Sequence, residues 1–297
     1  MAIPEAQLKT WSGLGSVTQS AQTYETIRKV LNDSSSPYYP KAFSIFLQGS
    51  YGNDTNIYGD SDVDVVIRLD GTFYSDQSQL EEDAKKSLST GYPDAQYGAH
   101  EFKADVLSWL TAKFGSNVNG GKKAIFIKGS GNRRDADVLV CARLRRYRKG
   151  STGTDDQYDE GICFFLPAGT RIENFPEQHA KNCTAKHQAT KSWFKPMVRV
   201  YKNIRNRMVQ DGYLAEGVAP SYFLEGMLSN VPPSNFGGTY EDTFVKCYNW
   251  LLSADKTKLA CASDLYWLVR DNSHNCWSNA NFDAFMAATK KYWDDWS

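Results

Sequence analysis

Two aspartates separated by one residue, Asp62 and Asp64, offer the plainest chemistry in this sequence. Val63, Val65 and Ile67 alternate with them, and a strand with this period of two directs both carboxylates to one face. Neighbouring carboxylates repel each other unless a positive group lies between them. Mg²⁺ is a hard cation that binds one or two carboxylates together with phosphate oxygens. The pattern therefore favours a site for a metal–nucleotide complex.

A glycine–serine turn precedes these acids. The apolar run Phe43–Leu47 alternates as a strand does and ends at Gln48, Gly49 and Ser50. Glycine allows a backbone to approach a phosphate closely. The next segment, residues 51–58, is predicted to begin near a helix N-terminus, where free N–H groups and the helix dipole favour a triphosphate.

Each half of this pattern also has a plainer interpretation. Gly49-Ser50 could end a strand in an ordinary turn, and Asp60, Asp62 and Asp64 could form a solvated acidic edge. A lone Asp-x-Asp is a weak signal. The order of strand, Gly-Ser turn, short helix and acidic strand makes the catalytic interpretation the stronger one.

A two-metal site needs a third acid to hold the ion that activates the attacking hydroxyl. Apolar runs at residues 123–128 and 136–144 flank a turn at residues 129–132, which predicts a hairpin. Asp137 lies inside the second run, where burying an acid without a partner is costly, and it is our candidate. Asp135 follows two arginines and is more simply a solvated, arginine-paired acid.

Composition narrows the class of protein. The 297 residues, 41% hydrophobic and 23% charged, can form one large or two ordinary domains. The net charge is zero, so there is no strong signal for nucleic-acid binding. No apolar run approaches the roughly 20 residues of a membrane span, and residues 1–13 lack a signal-peptide core. Six cysteines without a Cys-x-x-Cys pair indicate reduced thiols, and we expect a cytoplasmic protein without membrane association.

One other cluster could bind metal. His179, Cys183 and His187 recur at intervals of four, which on a helix aligns three potential zinc ligands. No fourth ligand is apparent, so a structural zinc is the weaker interpretation.

The chain changes in character between residues 165 and 190. We predict an α+β fold in two lobes with the active site in the cleft, a catalytic domain of mixed sheet and helices at residues 1–175 and a helical domain at 176–297. The predicted helices cover residues 101–114, 192–209, 221–228, 239–252, 258–269 and 282–296.

The helix at residues 192–209 has a basic side that includes Lys195, Arg199 and Lys202. Any one of these residues is most simply solvated. Magnesium neutralises only part of a nucleoside triphosphate, however, so a lysine from the second domain is needed to hold the remaining charge. Lys202 is the candidate.

Together these motifs resemble the bacterial cGAS/DncV-like nucleotidyltransferases, of the CdnE-like type, within the polymerase-β-like nucleotidyltransferase superfamily. The residues that carry the resemblance fall between positions 43 and 228, and the remaining C-terminal part agrees only in its helical character. They are Gln48-Gly49-Ser50-Tyr51, Asn53-Asp54-Thr55, Ser61-Asp62-Val63-Asp64, Asp137-Val138-Leu139-Val140, residues 179–182 through 193–196, and Ser221-Tyr222-Phe223-Leu224-Glu225.

The resemblance implies an enzyme that joins nucleoside triphosphates into a cyclic di- or trinucleotide second messenger, releases pyrophosphate and serves bacterial anti-phage (CBASS) signalling. It implies ATP, with UTP or GTP, as substrates, two Mg²⁺ or Mn²⁺ ions, and a downstream effector reached by the diffusible product. Relatives are either constitutively active or controlled by a regulatory protein partner.

The resemblance also implies roles for individual residues. Asp62 and Asp64 hold both ions, and Asp137 holds the ion at the attacking hydroxyl. The predicted nucleotide-binding residues are Gln48, Gly49, Ser50, Asn182, Lys202, Ser221 and Tyr222. Of these, Gly49 and Ser50 bind the donor phosphates, Lys202 and Ser221 grip the triphosphate, and Tyr222 stacks on the base.

The assignment of Tyr222 has an alternative, the match of Asn182 is loose, and other functions are open. Tyr222 could instead be a core tyrosine beside Phe223. Asn182 matches loosely an asparagine that favours uracil, since an amide offers both a donor and an acceptor, which suggests cyclic UMP–AMP over all-purine products. The other functions are a nucleotidyltransferase acting on an RNA 3′ end, one acting on a small-molecule acceptor such as an antibiotic, and a non-catalytic nucleotide sensor. The neutral net charge disfavours the first, and the third acid disfavours the last.

Overall fold

The computed structural model describes residues 2–15, 18–58, 62–92 and 94–296. Ser61 of the acidic motif and Asp60 of the alternative acidic edge lie outside these residues. The chain forms two compact units. We call Thr18–Gln48 with Ser61–Phe175 the sheet unit, and Met1–Val17 with Gly49–Asp60 and Pro176–Ser297 the helical unit.

The sheet unit contains one mixed sheet. Its strands are β1 (Phe43–Leu47), β2 (Val63–Asp76), β3 (Val118–Gly120), β4 (Ile125–Ile127), β5 (Ala136–Tyr147), β6 (Tyr158–Phe165) and β7 (Arg171–Asn174). The order is β1-β2-β5-β4-β3, with β6 paired to β5 and β7 paired to β6. Strands β2 and β5 run parallel, and the other pairs are antiparallel. The predicted mixed sheet and the predicted hairpin of β4 and β5 are confirmed.

Burial explains why β2 is an interior strand of this sheet, paired on both sides. Val63, Val65 and Ile67 are each fully buried, as the alternating pattern predicts. The strand continues to Asp76, after an irregularity in its pairing between Leu69 and Phe73. Its position between β1 and β5 fixes the register of the acidic motif.

Helices occur in both units, and we number them in chain order. They are α1 (Glu5–Trp11), α2 (Thr18–Leu31), α3 (Gly49–Gly52), α4 (Glu82–Gly91), α5 (Ala99–Phe114), α6 (Pro176–Ala189), α7 (Phe194–Gln210), α8 (Ser221–Asn230), α9 (Tyr240–Ser253) and α10 (Asn279–Asp294). The predicted helices at 101–114, 192–209, 221–228, 239–252 and 282–296 correspond to α5, α7, α8, α9 and α10. No described helix combines the length and the apolar character needed to cross a membrane.

The core of the helical unit forms around α7. The predicted stripe on this helix is fully buried and consists of Phe194, Met197, Tyr201, Ile204 and Met208. It packs with buried residues of α1, α8, α9 and α10. Apolar residues at steps of three and four therefore place one side of α7 in the core and leave its basic side to contact other groups.

The helix predicted at residues 258–269 is wrong. Only residues Lys256–Lys258 form a short 3-10 helix, and the chain then turns back on itself. The N–H of Cys261 donates to the carbonyl of Tyr266 at 2.8 Å, and the N–H of Leu268 donates to that of Leu259 at 2.8 Å. Asp264 at the bend has φ of 60°, which no α-helix accommodates. The apolar residues that suggested a helix are instead buried by this loop.

The two-domain division at residues 1–175 and 176–297 stays a prediction, as do the two lobes and their cleft. From Pro176 onwards the residues belong to the helical unit, whereas the residues before Pro176 are divided between the two units. Two early segments, Met1–Val17 and Gly49–Asp60, group with the C-terminal helices. The second of them carries Gly49 and Ser50.

Candidate active site

The pairing of β2 with β5 brings two of the predicted catalytic acids side by side. Asp64 and Asp137 are register partners in these parallel strands. Side chains at paired positions of neighbouring strands point to the same face, because the two strands share the pleat. Asp62 immediately precedes β2 and is exposed. The sheet unit therefore gathers all three acids at the N-terminal ends of two adjacent strands.

Electrostatics at Asp137 reflects this crowding. Burial raises the pKa of its carboxyl group, and the negative charges of Asp62 and Asp135 raise it further. Asp135 is half-buried and accepts a hydrogen bond from the N–H of Gly129 at 2.5 Å, so this partly exposed acid also closes the hairpin turn. A divalent cation relieves the charge repulsion among carboxylate ligands. Asp62, Asp64 and Asp137 therefore fit such an ion.

The Gly49-Ser50 turn opens the one-turn helix α3, which is shorter than the helix predicted for residues 51–58. Gly49 has φ of 70°, a left-handed conformation that glycine adopts without strain. The carbonyls of Gly49 and Ser50 accept hydrogen bonds from the N–H groups of Asn53 and Thr55, at 3.2 and 2.9 Å. In the sheet unit, the N–H of Gln48 donates to the carbonyl of Asp64 at 3.1 Å. The loop after Ser50 is thus folded back onto the turn.

This loop, Asn53 to Thr55, is held by Glu225 of α8, a residue to which sequence reasoning assigned no role. Glu225 is 3% exposed. It accepts hydrogen bonds from the Asn53 amide at 3.1 Å and from the Thr55 hydroxyl at 2.5 Å. The signal was present in the sequence, because a glutamate in an apolar helical stretch must find donors if it is buried.

The basic side of α7 binds the same loop. Lys195 pairs with the carboxylate of Asp54 at 3.0 Å, and Arg199 donates to the Asp54 carbonyl at 2.6 Å. Lys202 is fully buried and donates to the carbonyl of Thr55 at 3.0 Å. The structure thus gives Lys202 a contact with protein backbone, and its predicted contact with a triphosphate stays a prediction.

Ser221 and Tyr222 begin α8. The guanidinium of Arg205 donates to the Ser221 hydroxyl at 3.4 Å. Tyr222 is only partly buried, and its ring packs edge-on against Phe223 at 5.4 Å between centroids. The ring of His179 is also close, stacked on Tyr222 at 5.0 Å between centroids. Both the base-stacking role and the core role proposed for Tyr222 are compatible with this position.

Asn182 on α6 is engaged with the loop that follows Lys258. Its amide nitrogen donates to the carbonyl of Ala262 at 2.9 Å and to the carboxylate of Asp264 at 3.0 Å. To present a donor to a base edge, the side chain must give up one of these bonds. Its predicted role in base choice stays a prediction.

The structure does not group the three residues of the possible zinc site, because His187 is not among the ligand atoms that lie close together. His187 accepts a hydrogen bond at Nδ1 from the N–H of Lys195 at 3.3 Å. The three groups that lie close together are His179, Cys183 and Glu225. Burial raises the pKa of the Cys183 thiol, which favours its neutral form, and both Glu225 oxygens already accept hydrogen bonds. This chemistry does not suit zinc, which binds thiolate and needs free lone pairs.

Comparison with known proteins identifies relatives of this chain. Residues 181–294 match the cGAS/DncV-like nucleotidyltransferase C-terminal helical domain. The whole chain is 37% identical to the cyclic UMP-AMP synthase of Rhodothermus marinus, over 99% of that protein. It is 34% identical, over 92% of this chain and 93% of the relative, to a cyclic dipurine nucleotide synthase of Elizabethkingia meningoseptica.

A solved structure extends the likeness to the fold. The Rhodothermus marinus CdnE c-UMP-AMP synthase with Apcpp and Upnpp aligns with a TM-score of 0.88 and 36% identity, over 99% of this chain and 98% of that one. Fold and sequence therefore agree along the full length. The chain belongs to the bacterial cGAS/DncV-like nucleotidyltransferases, and it is a nucleotidyltransferase.

Proposed function

We propose that this enzyme joins nucleoside triphosphates into a cyclic dinucleotide second messenger and releases pyrophosphate. The observation that carries the proposal is the pairing of Asp64 with Asp137, with Asp62 beside them and a raised pKa at Asp137. Binding alone does not need a third acid at the attacking hydroxyl, so this arrangement favours catalysis over a nucleotide sensor. The relatives named as cyclic nucleotide synthases, which match nearly the whole chain, support the same reaction.

The three acids would hold two Mg²⁺ or Mn²⁺ ions. Such ions supply charge neutralisation at the phosphates and lower the pKa of the attacking hydroxyl. Asp62 and Asp64 would orient the donor triphosphate, and Asp137 would orient the acceptor hydroxyl. Gln48, Gly49 and Ser50 would contact the donor phosphates through backbone and hydroxyl groups, together with Lys202 and Ser221. Tyr222 would stack on the donor base.

The proposed products contain adenine and, through Asn182, uracil. The two relatives differ in their named products, one UMP–AMP and the other dipurine, so sequence identity at this level does not choose the bases. We propose ATP and UTP as the first substrates to test, with GTP next. The proposed setting is cytoplasmic CBASS signalling, with a downstream effector that binds the product and a regulatory protein partner in those systems that use one.

The test is incubation of the purified protein with Mg²⁺ or Mn²⁺ and the four ribonucleoside triphosphates, followed by mass spectrometry of phosphatase-resistant products. We expect a cyclic dinucleotide, with two pyrophosphates released for each molecule of product. The double variant Asp62→Asn with Asp64→Asn should form none. Asp76→Asn is the matched control, because it lies on the same strand and pairs with Arg146 at 3.5 Å, apart from the acids.

Other results would point elsewhere. Pyrophosphate release with only linear products would indicate transfer to another acceptor, such as an RNA 3′ end or a small molecule. Wild-type turnover by the double variant would refute the assignment of the acids. A dipurine product unchanged by Asn182→Ala would refute the role of Asn182 in choosing uracil.

A further inference from the structure

A buried carboxylate links two predicted parts of the nucleotide site. Glu225 accepts hydrogen bonds from Asn53 and Thr55 and also contacts Nε2 of His179 at 2.5 Å. Burial raises the pKa of Glu225, but hydrogen bonds and charges from His179, Thr55 and Lys202 outweigh it and lower the pKa overall. An ionised carboxylate can only accept hydrogen bonds. The hydrogen of this bond is therefore on Nε2 of His179, which is the donor.

His179 makes a second contact through its ring. The imidazole lies stacked on Tyr222, with the ring planes 23° apart and the centroids 5.0 Å apart. His179 is 5% exposed, and its Nδ1 has no hydrogen-bond partner among the described residues. The ring is therefore positioned by two contacts, one to Glu225 and one to Tyr222, and each belongs to a different predicted element of the site.

We propose that His179 is a positioning residue for nucleotide binding. Its Nε2–H orients the Glu225 carboxylate, which holds the Asn53–Thr55 loop behind Gly49 and Ser50. Its ring supports the face of Tyr222 that does not receive the base. One imidazole thus sets the phosphate-contacting turn and the base-stacking tyrosine together. The inference rests on the proposed function for the roles of these two elements, but the contacts that couple them do not depend on turnover.

Two substitutions separate the two contacts. His179→Phe keeps an aromatic ring beneath Tyr222 and removes the donor to Glu225. His179→Gln keeps an N–H that reaches Glu225 and removes the ring. If His179 only filled space in the core, both substitutions would impair the protein to a similar degree and in the same measurements. His187→Gln is the matched control, because it changes the same residue type on the same helix, and glutamine can still accept from the N–H of Lys195.

Hydrogen–deuterium exchange reports on the loop without any catalysis. The N–H groups of Asn53 and Thr55, bonded to the carbonyls of Gly49 and Ser50, are the reporter amides. We expect His179→Phe to speed their exchange by about tenfold, the effect of losing one hydrogen bond to a charged group. His179→Gln and His187→Gln should leave it within about twofold of the wild type.

Binding of a non-hydrolysable nucleoside triphosphate with Mg²⁺ reports on the tyrosine. We expect His179→Gln to weaken binding by about fivefold, a fraction of a full base-stacking contact, and to raise KM for the donor more than it lowers kcat. Tyr222→Ala should abolish the difference between wild type and His179→Gln. The inference is overturned if the loop amides exchange alike in His179→Phe and His179→Gln, or if both variants bind the nucleotide as the wild type does. A wild-type protein that binds nucleotide but forms no cyclic product would refute the proposed function. The exchange and binding measurements on the His179 variants would still decide whether His179 is a positioning residue.

Discussion

Lys202→Met distinguishes a lysine that holds the protein together from one that only holds a phosphate. Methionine has a similar volume, so the substitution removes a charge and a hydrogen bond without a large cavity. Lys202 is fully buried and donates to the Thr55 carbonyl at 3.0 Å, and its charge helps to lower the pKa of Glu225. A lysine that awaited a phosphate in solvent would contribute little to stability.

The expected cost follows from these contacts. Leaving the Thr55 carbonyl without its donor costs about 1 kcal/mol. Breaking a buried ion pair costs about 3–5 kcal/mol. Lys202 acts on Glu225 through its charge, and Glu225 keeps His179, Thr55 and Asn53 as donors, so the loss of this charge should cost less, about 2 kcal/mol. We expect the free energy of unfolding to fall by about 3 kcal/mol, and the Tm to fall by about 6–12 °C for a domain of this size.

Urea denaturation at pH 7, together with thermal unfolding, measures this loss. Lys195→Met is the matched control on the same helix, because its partner Asp54 has a side chain 67% exposed, and an ion pair so exposed contributes at most about 1 kcal/mol. The deficit of Lys202→Met should also shrink as the pH falls below 4.5, the ordinary pKa of the group, because protonation of Glu225 removes the charge that Lys202 balances. A loss no larger than that of Lys195→Met would refute the structural role.

Three further predictions concern single groups. The pKa of Glu225 is lowered from 4.5, so its ionised form stabilises the fold above that pH, and the stability difference between wild type and Glu225→Gln should close as the pH falls below it. The pKa of Asp137 is raised from 3.8, so its ionisation opposes folding, and urea denaturation should find Asp137→Asn more stabilising at pH 7 than at pH 3.5. Tyr222→Ala should raise KM for the donor nucleotide more than it lowers kcat in steady-state assays, because stacking is similar in the ground and transition states.

The acids of the site could be predicted because their signal is local. The alternation around Asp62 and Asp64 determines the strand and its exposed face, and the turn before Asp137 determines a hairpin. The pairing of β2 with β5 was not predicted, because alternation within a strand does not determine which strands become neighbours. Short-range periodicity therefore predicted each strand and the face of its acids, but not their juxtaposition.

The surroundings of Lys202 could not be predicted in this way. Its neighbours Thr55 and Glu225 are distant in sequence, and no periodic pattern relates a loop after a glycine turn to the polar side of a later helix. The sequence suggested solvent around that side, whereas the structure places protein backbone beside Lys202, and the phosphate contact of this lysine stays a prediction. The incorrect helix at residues 258–269 failed for a related reason, because one left-handed residue, Asp264, outweighs the apolar composition around it.

The contact between Asn53 and Glu225 also bears on how the protein is made. The two residues are separated by 172 positions in the chain. At about 5–20 residues per second, a ribosome completes the loop roughly 10–30 s before it adds the glutamate. During that interval the loop lacks the carboxylate of Glu225, so the segment that carries Gly49 and Ser50 reaches its final conformation only after α8 has been synthesised. Slow codons or chaperones that act on the C-terminal helices would thus affect a segment that is synthesised well before them.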